Sequence, residues 1–421
     1  MRRFNPSFVF AVAIALIAVP NPSAQAQTFT VLHNFTGGLD GGVPATGLTR
    51  DASGNLYGTT QSGGGVGCSG SGCGAIFKLK HSGSGWIFSP LYSFAGGNDG
   101  AVPVARVIIG PNSSLYGTTN QGGGVCNCGT VFNLRPPTSA CKSALCPWAE
   151  TVFYRFTGSP DGAYPRNGEL VFDHAGYLYG TTVQGGPLNA GTVYQVAANG
   201  GSEQVIFSFG DPNYGYYPYG GVIFDTAGNL YGATGNGSPY GNGTVYELTN
   251  PFGTWVENLL WSFSPGGSDG VAPVGGLVFD QSGDLYGTTS SGGSGAGGTV
   301  FKMHQFISGG WTFTVLYSFS YSGSINNPGP RDSLVVDAGG DLYGTTLADG
   351  AYGYGSVFRL TPSQGSYTYT DLHDFTGGGD GAYPKGNVTL DANGNIYGTA
   401  SAGGTGSNCS GGCGVVWEIT P

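Results

Sequence analysis

Three short polar clusters carry the most unusual chemistry of this chain: Arg166, Asn167 and Glu169; Arg331 and Asp332; and Lys385 and Asn387. Each begins directly after a proline (Pro165, Pro330 or Pro384), where most corresponding stretches hold small or apolar residues; Arg106 is a fourth outlier. Guanidinium and ammonium groups beside carboxamides and carboxylates suit the binding of an anionic or sugar-like ligand better than bond breaking. The competing reading is an exposed polar rim. Upstream of such prolines runs Asp-Gly-x-x-Pro, at Asp40, Asp99, Asp161, Asp269 and Asp380, with Tyr214 and Asn326 at the aligned places of two further copies. Gathered in a ring, these carboxylates could hold a cation such as a structural Ca2+, or a polyhydroxylated ligand. Asp-Gly before Pro is also turn chemistry in its own right, and that reading is preferred. Asp161 and Asp380, which flank the charged clusters, complete the candidate ligand-binding set.

Other chemistries find less support. The five histidines (His33, His81, His174, His304, His373) are scattered, and there is no Gly-x-Ser-x-Gly elbow. The turn Asp-x-x-Gly-Asn-Leu-Tyr resembles that of metal-dependent lactonase-like propellers, whose chemistry needs acidic and amide groups around one cation. Here Glu169 and Asp332 are the only carboxylates near the starts of the candidate innermost strands, so a metal hydrolase is poorly supplied with donors. No cofactor is expected. Formal net charge is −10 with only 9% charged residues, which disfavours nucleic acid and anionic membrane as partners because neither finds a cationic footprint.

The eight cysteines form local couples: Cys68 with Cys73, Cys126 with Cys128, Cys141 with Cys146, and Cys409 with Cys413. An even count in an exported chain reads as disulfides, here stapling Gly/Ser-rich loops. Export itself is read from Met1 to Ala26: Arg2 and Arg3, an apolar run from Phe8 to Val19, and Ala24-Gln25-Ala26 as a cleavage site. Residues 27–421 contain no other apolar stretch long enough to span a bilayer.

The elements that must position the polar clusters announce themselves by repetition. Leu-Tyr-Gly-Thr-Thr or a near copy recurs seven times, with its tyrosine at Tyr57, Tyr116, Tyr179, Tyr231, Tyr286, Tyr343 and Tyr397. Each copy brings four strand-like phrases, as in Gly275 to Asp280, Asp284 to Thr289, Gly298 to Met303 and Trp311 to Phe319. A turn of the form Asp-x-x-Gly-(Asn/Asp) joins the first two, its Asp bonding backbone amides and its Gly free to take positive φ. In the fourth phrase Trp311, Phe313, Val315, Tyr317 and Phe319 alternate with polar or smaller residues, which places them on one face of a half-buried strand. Trp86, Trp148, Trp255 and Trp311 share one phase of that strand, which predicts packing between units, with sugar stacking as the sharper alternative.

Seven all-β units of four strands predict a seven-bladed β-propeller over residues 27–421, with a sandwich or solenoid as runner-up. The chain opens on a lone fourth-strand phrase, Phe29 to Phe35, and closes after a third-strand phrase, Gly414 to Thr420. The N-terminal strand is therefore expected to complete the last blade and close the ring.

Leu-Tyr-Gly-Thr-Thr, then Gly-Gly, then Gly-Thr-Val-Phe-x-Leu, then a strand ending Leu-Tyr-Ser-Phe and the turn Gly-Gly-x-Asp-Gly-x-x-Pro together resemble the tandem repeat of the GloVer-type bacterial exported proteins. That resemblance implies secretion and a propeller-like repeat domain without an established biochemical activity. Members often carry a C-terminal surface-anchoring signal, a habit from which this sequence departs, since Pro421 directly follows the last strand phrase. The expected function is an exported binding or interaction module for a glycan or extracellular protein. An extracellular hydrolase or lyase acting on polysaccharide or lactone stands second, and a structural envelope protein third.

Overall fold

The computed structural model describes residues 27–83, 85–137, 148–211, 215–264, 266–321, 323 and 325–421. Met1–Ala26, on which the secretion signal rests, lies outside these residues, as do Cys141, Cys146 and Tyr214. Among the described residues the strands form seven four-stranded antiparallel sheets, the blades of a propeller. We number the blades 1 to 7 by their motif tyrosines, Tyr57 to Tyr397. Blade 1 consists of Thr49–Arg50, Leu56–Thr60, Ala75–Ser82 and Gly85–Ser93, from the channel outward. Blade 7 is built from both ends of the chain. Thr389–Leu390, Ile396–Ala400 and Val415–Thr420 supply its inner three strands, and Thr28–Asn34 pairs with the third of these, from Thr28 opposite Thr420 to Asn34 opposite Val415. The predicted ring closure is thus present, and it leaves no open end to cap.

Each letter of the repeated phrase has its own physical reason. Its leucine is fully buried in every blade that has one. In six of the seven blades the tyrosine hydroxyl donates to the turn aspartate six residues upstream, as in Tyr57 to Asp51 (3.0 Å), Tyr179 to Asp173 (3.2 Å) and Tyr286 to Asp280 (3.1 Å); in blade 2 that place is Gly110. The glycine makes room for an aromatic ring on the third strand. A Cβ there would lie 2.4 Å from Phe77 at Gly58 and 2.2 Å from Trp417 at Gly398, closer than atoms can approach. The first threonine pins the next blade: Thr181 donates to the Gly220 carbonyl (2.8 Å), Thr345 to Gly386 (2.9 Å), and Thr399 to Thr46 (2.7 Å), the last across the closing seam. The second meets a buried hydroxyl on the third strand, as in Thr182 with Thr192 (2.7 Å). The motif is a set of blade-building contacts.

The outer strand departs from the expected alternation. Phe301 pairs with Val315 but Val300 pairs with Tyr317, so Leu316 is an extra residue in a β-bulge. All seven outer strands carry a register shift at this place. One inserted residue reverses the side on which the following residues point. Trp311 and Phe313 therefore pack toward blade 4, in the cluster of Tyr231, Phe263 and Phe301, whereas Tyr317 and Phe319 pack toward blade 6 with Leu334 and Phe358. The reading of Trp311 through Phe319 as one face is corrected accordingly. The tryptophans do pack between blades: Trp86 meets Tyr397, Trp148 meets Tyr57 and Trp311 meets Tyr231, each edge-on with centroids 5.8–6.2 Å apart.

Disulfides join Cys68 to Cys73, Cys126 to Cys128 and Cys409 to Cys413. They staple loops between second and third strands. These loops lie against the Asp-Gly turns on one face of the ring, through pairings such as Gly42 with Ser62 and Ala101 with Gln121. That face holds the channel mouth described next.

Candidate functional site

The innermost strands are two residues long in each blade, so the segment between the turn proline and the strand lies irregularly along the channel wall. The first residue after each proline projects at the mouth. Six blades follow one spacing. Blade 3 carries one extra residue between Pro165 and Leu170, which brings Glu169 into the place held by Arg106, Ser333 and Asn387 elsewhere.

The sequence-flagged residues separate into two layers. Arg166, Arg331 and Lys385, from blades 3, 6 and 7, line one cavity of about 350 Å³ together with Asn167, Tyr219, Gln61, Asn120, Asn236 and Asn327. No carboxylate is among its lining residues. Arg166 lies over the Tyr219 ring, 5.6 Å from its centroid, a cation–π contact that orients the guanidinium. Arg331 is anchored on carbonyls: its Nη2 donates to Asn326 O (3.1 Å) and Asn327 O (3.2 Å). Burial, and then the charges of Arg331 and Arg166, hold the Lys385 ammonium below the ordinary lysine value; burial and then Arg166 likewise lower Arg331. Three cations gathered in one cavity, with no carboxylate in its lining, mark a place where an anion is favoured.

Further along the same strands lies the second layer, a cavity of about 130 Å³ lined by Glu169, Asp332, Ser333 and the backbone of Gly221 and Gly276; Asn167 borders both spaces. Arg106 Nη2 donates to Glu169 Oε2 at 2.6 Å, and Arg106 Nη1 to the Leu48 carbonyl at 3.3 Å. Asn387, only 2% exposed, ties the layer together: its Nδ2 donates to Glu169 Oε1 (3.2 Å) and Ser333 Oγ (3.1 Å), and its backbone N–H donates to Asp332 Oδ2 (3.0 Å). Burial, and then the negative charge of Glu169, raise the Asp332 carboxyl well above the usual range. These contacts tie separate blades together beneath the mouth, while Arg106 Nε and Asn387 Oδ1 stay buried without a hydrogen-bond partner among the described residues.

Asp161 and Asp380 line neither cavity. Asp161 accepts from Thr157 N (2.8 Å), Thr157 Oγ1 (3.0 Å) and Tyr154 OH (3.0 Å). Asp380 accepts from Thr376 N (2.9 Å) and stands 3.2 Å from His373 Nε2. Asp40, Asp99 and Asp269 cap their turns in the same manner, through Thr36 N, Ala95 N and Ser264 N. Their oxygens are spent on the turn that the sequence alone prefers for them. Among the described residues no group of three or more His, Cys, Asp or Glu side chains is placed to hold a metal ion. Tyr219 and the amides Gln61, Asn120, Asn236 and Asn327 belong to the mouth but escape sequence reading. The signal for Tyr219 was available, because it occupies the place of Arg166 one blade on.

A closed seven-bladed propeller with a cationic channel mouth is the class of protein that this fold and site define. The chain belongs to the Gloeobacter/Verrucomicrobia repeat family, whose model matches residues 21–151, 146–264 and 256–421. No curated protein matches it in sequence. Among solved structures it is similar to the extracellular domain of a putative one-component system from B. thetaiotaomicron (12% identity, TM-score 0.55, covering 93% of this chain and 40% of that one). It is also similar to a puromycin-hydrolyzing peptidase of Mycobacterium tuberculosis (9% identity, TM-score 0.51, 88% and 52%) and to a putative 6-phosphogluconolactonase from Bacteroides uniformis (15%, 0.49, 78% and 84%). The chain spans about half or less of the first two, and at their identities the likeness to them is one of fold.

Proposed function

We propose that this protein is an exported binding module that takes an anionic ligand, with an acidic glycan as the leading class, into the channel mouth. The observation that carries the reading is the convergence of Arg166, Arg331 and Lys385 on one cavity whose lining contains no carboxylate, in a chain of formal net charge −10. A concentrated positive patch on an acidic protein is costly unless something negative visits it. Carboxamides and a tyrosine around the cations supply the hydroxyl-directed hydrogen bonds and the ring contact that a sugar acid needs. Export is supported by the signal pattern of Met1–Ala26 and by the disulfides among the described residues, which persist in oxidising compartments.

The test is a glycan array read with wild type and with the triple variant Arg166→Ala, Arg331→Ala, Lys385→Ala. Uronate-bearing or sulfated glycans should be retained by wild type, with the signal declining in high salt, and lost by the variant. Equal retention by both proteins would remove the mouth as the site. Product formation from any acidic polysaccharide or lactone would move the protein to the hydrolase or lyase class.

A further inference from the structure

Departures from the repeat mark the mouth, and a departure confined to one blade marks the opposite face. The second residue of the innermost strand is apolar in blades 2 to 7: Ile109, Phe172, Phe224, Phe279, Val336 and Leu390. Each packs into the cluster around the motif tyrosine of the preceding blade. Phe172, Phe224 and Phe279 meet those tyrosines edge-on at 5.1–5.2 Å. Blade 1 alone holds a charged residue there, Arg50.

Arg50 does not fill the space. Its guanidinium lies out over the Gly54 turn, 3.3 Å from where a Cβ of that glycine would stand. A groove of about 290 Å³ is left at the seam between blades 1 and 7, walled by Trp86, Tyr397, Arg50, Glu418, Asn393 and His81. Trp86 is half-buried, with the Tyr397 and His81 rings nearly perpendicular to it at centroid distances of 5.8 and 5.1 Å. Asp391, which also borders the groove, spends its oxygens on Asn393 N, Asn395 N and Nδ2, and Tyr397 OH.

We propose that this seam groove is a second binding site, independent of the mouth, and that it takes one ring of a neutral sugar. The space stands at the small end for ligand pockets, which fits a single ring rather than a chain. An indole wall offers the apolar contact that the CH face of a pyranose makes. Guanidinium donors opposite a carboxylate and a carboxamide present both hydrogen-bonding senses to vicinal hydroxyls. Arg50 and Glu418 oppose each other in charge, so the groove, unlike the mouth, gives no net attraction to an anion.

Saturation-transfer NMR of the whole protein with glucose, galactose, mannose, fucose and N-acetylglucosamine tests the assignment. At least one sugar should bind saturably, with weak, roughly millimolar affinity. Arg50→Phe, which installs the residue used by blades 3 to 5, should abolish that signal while leaving the thermal midpoint unchanged or higher. Glu418→Gln should weaken binding several-fold without unfolding, and the triple variant of the mouth should bind the neutral sugar as wild type does. Absence of saturable binding by every sugar in the panel would overturn the proposal, as would full retention in Arg50→Phe. Loss in the mouth variant with retention in Arg50→Phe would transfer the neutral sugar to the mouth.

Discussion

At the residue scale, the mouth cations differ in how they are held, and the differences predict unequal effects. Arg331 is fixed on two carbonyls and Arg166 rests on Tyr219, so both present their charge at little cost in side-chain freedom. Replacing either by Ala should weaken an acidic ligand by about 10- to 100-fold in a calorimetric titration, the range for losing a charge-assisted hydrogen bond. Lys385 adds a pH dependence. Its protonated form is the one that attracts an anion, and burial with two neighbouring guanidinium groups lowers its pKa. Affinity should therefore fall as pH rises, and the fall should begin earlier than the ordinary lysine value would allow. Lys385→Arg should flatten that decline, and a wild-type profile flat to pH 10 would contradict the assignment of Lys385 to the ligand.

At the scale of elements, the bulged outer strand creates a recurring contact between blades. The residue six places before the closing phenylalanine stacks on the preceding blade in four interfaces: Phe88 on His33, Phe313 on Trp261, Tyr369 on Tyr317 and Phe29 on His373, with centroids 3.8–4.5 Å apart. In blades 2, 3 and 4 the same place holds Glu150, Glu203 and Glu257, whose Oε1 atoms are buried without a hydrogen-bond partner among the described residues. Burial, and then Asp99, Asp161 and Asp211 respectively, push these carboxyls up to about 7, 7 and 8. A raised carboxyl binds more protons in the folded than in the unfolded state, so its contribution to stability is present below the ordinary carboxyl range. That contribution is lost as pH rises through 7 to 8. The thermal midpoint should accordingly fall between about pH 5 and 8. Glu150→Phe or Glu257→Phe should raise it at pH 8 by roughly 1–2 °C each and reduce the slope. The strands and the contact between blades were legible in sequence from spacing alone. The bulge was not, because an extra residue such as Leu316 is as apolar as its neighbours and leaves the pattern looking continuous.

At the scale of the whole molecule, stability and site both depend on the ring being closed. Removing residues 27–34 would expose the full edge of Val415–Thr420 and take Phe29 and Leu32 out of their clusters. The expected loss is on the order of 5 kcal/mol or more, comparable to the total stability of many domains, and calorimetry should show the cooperative transition displaced or split. Repetition made the architecture readable, since seven copies of Leu-Tyr-Gly-Thr-Thr leave few topologies open. The site was readable only in part. Arg166, Arg331 and Lys385 stood out because they break the repeat, but sequence could not tell that Asp332 and Glu169 turn away from them into a separate layer. Neighbouring residues along an irregular wall point in different directions, and spacing does not encode that choice. The most direct measurement is a crystal structure with an acidic oligosaccharide that wild type binds in solution. The account predicts that its carboxylate or sulfate lies within hydrogen-bonding distance of at least two of Arg166, Arg331 and Lys385, whereas a ligand bound elsewhere with the mouth unvisited would contradict it.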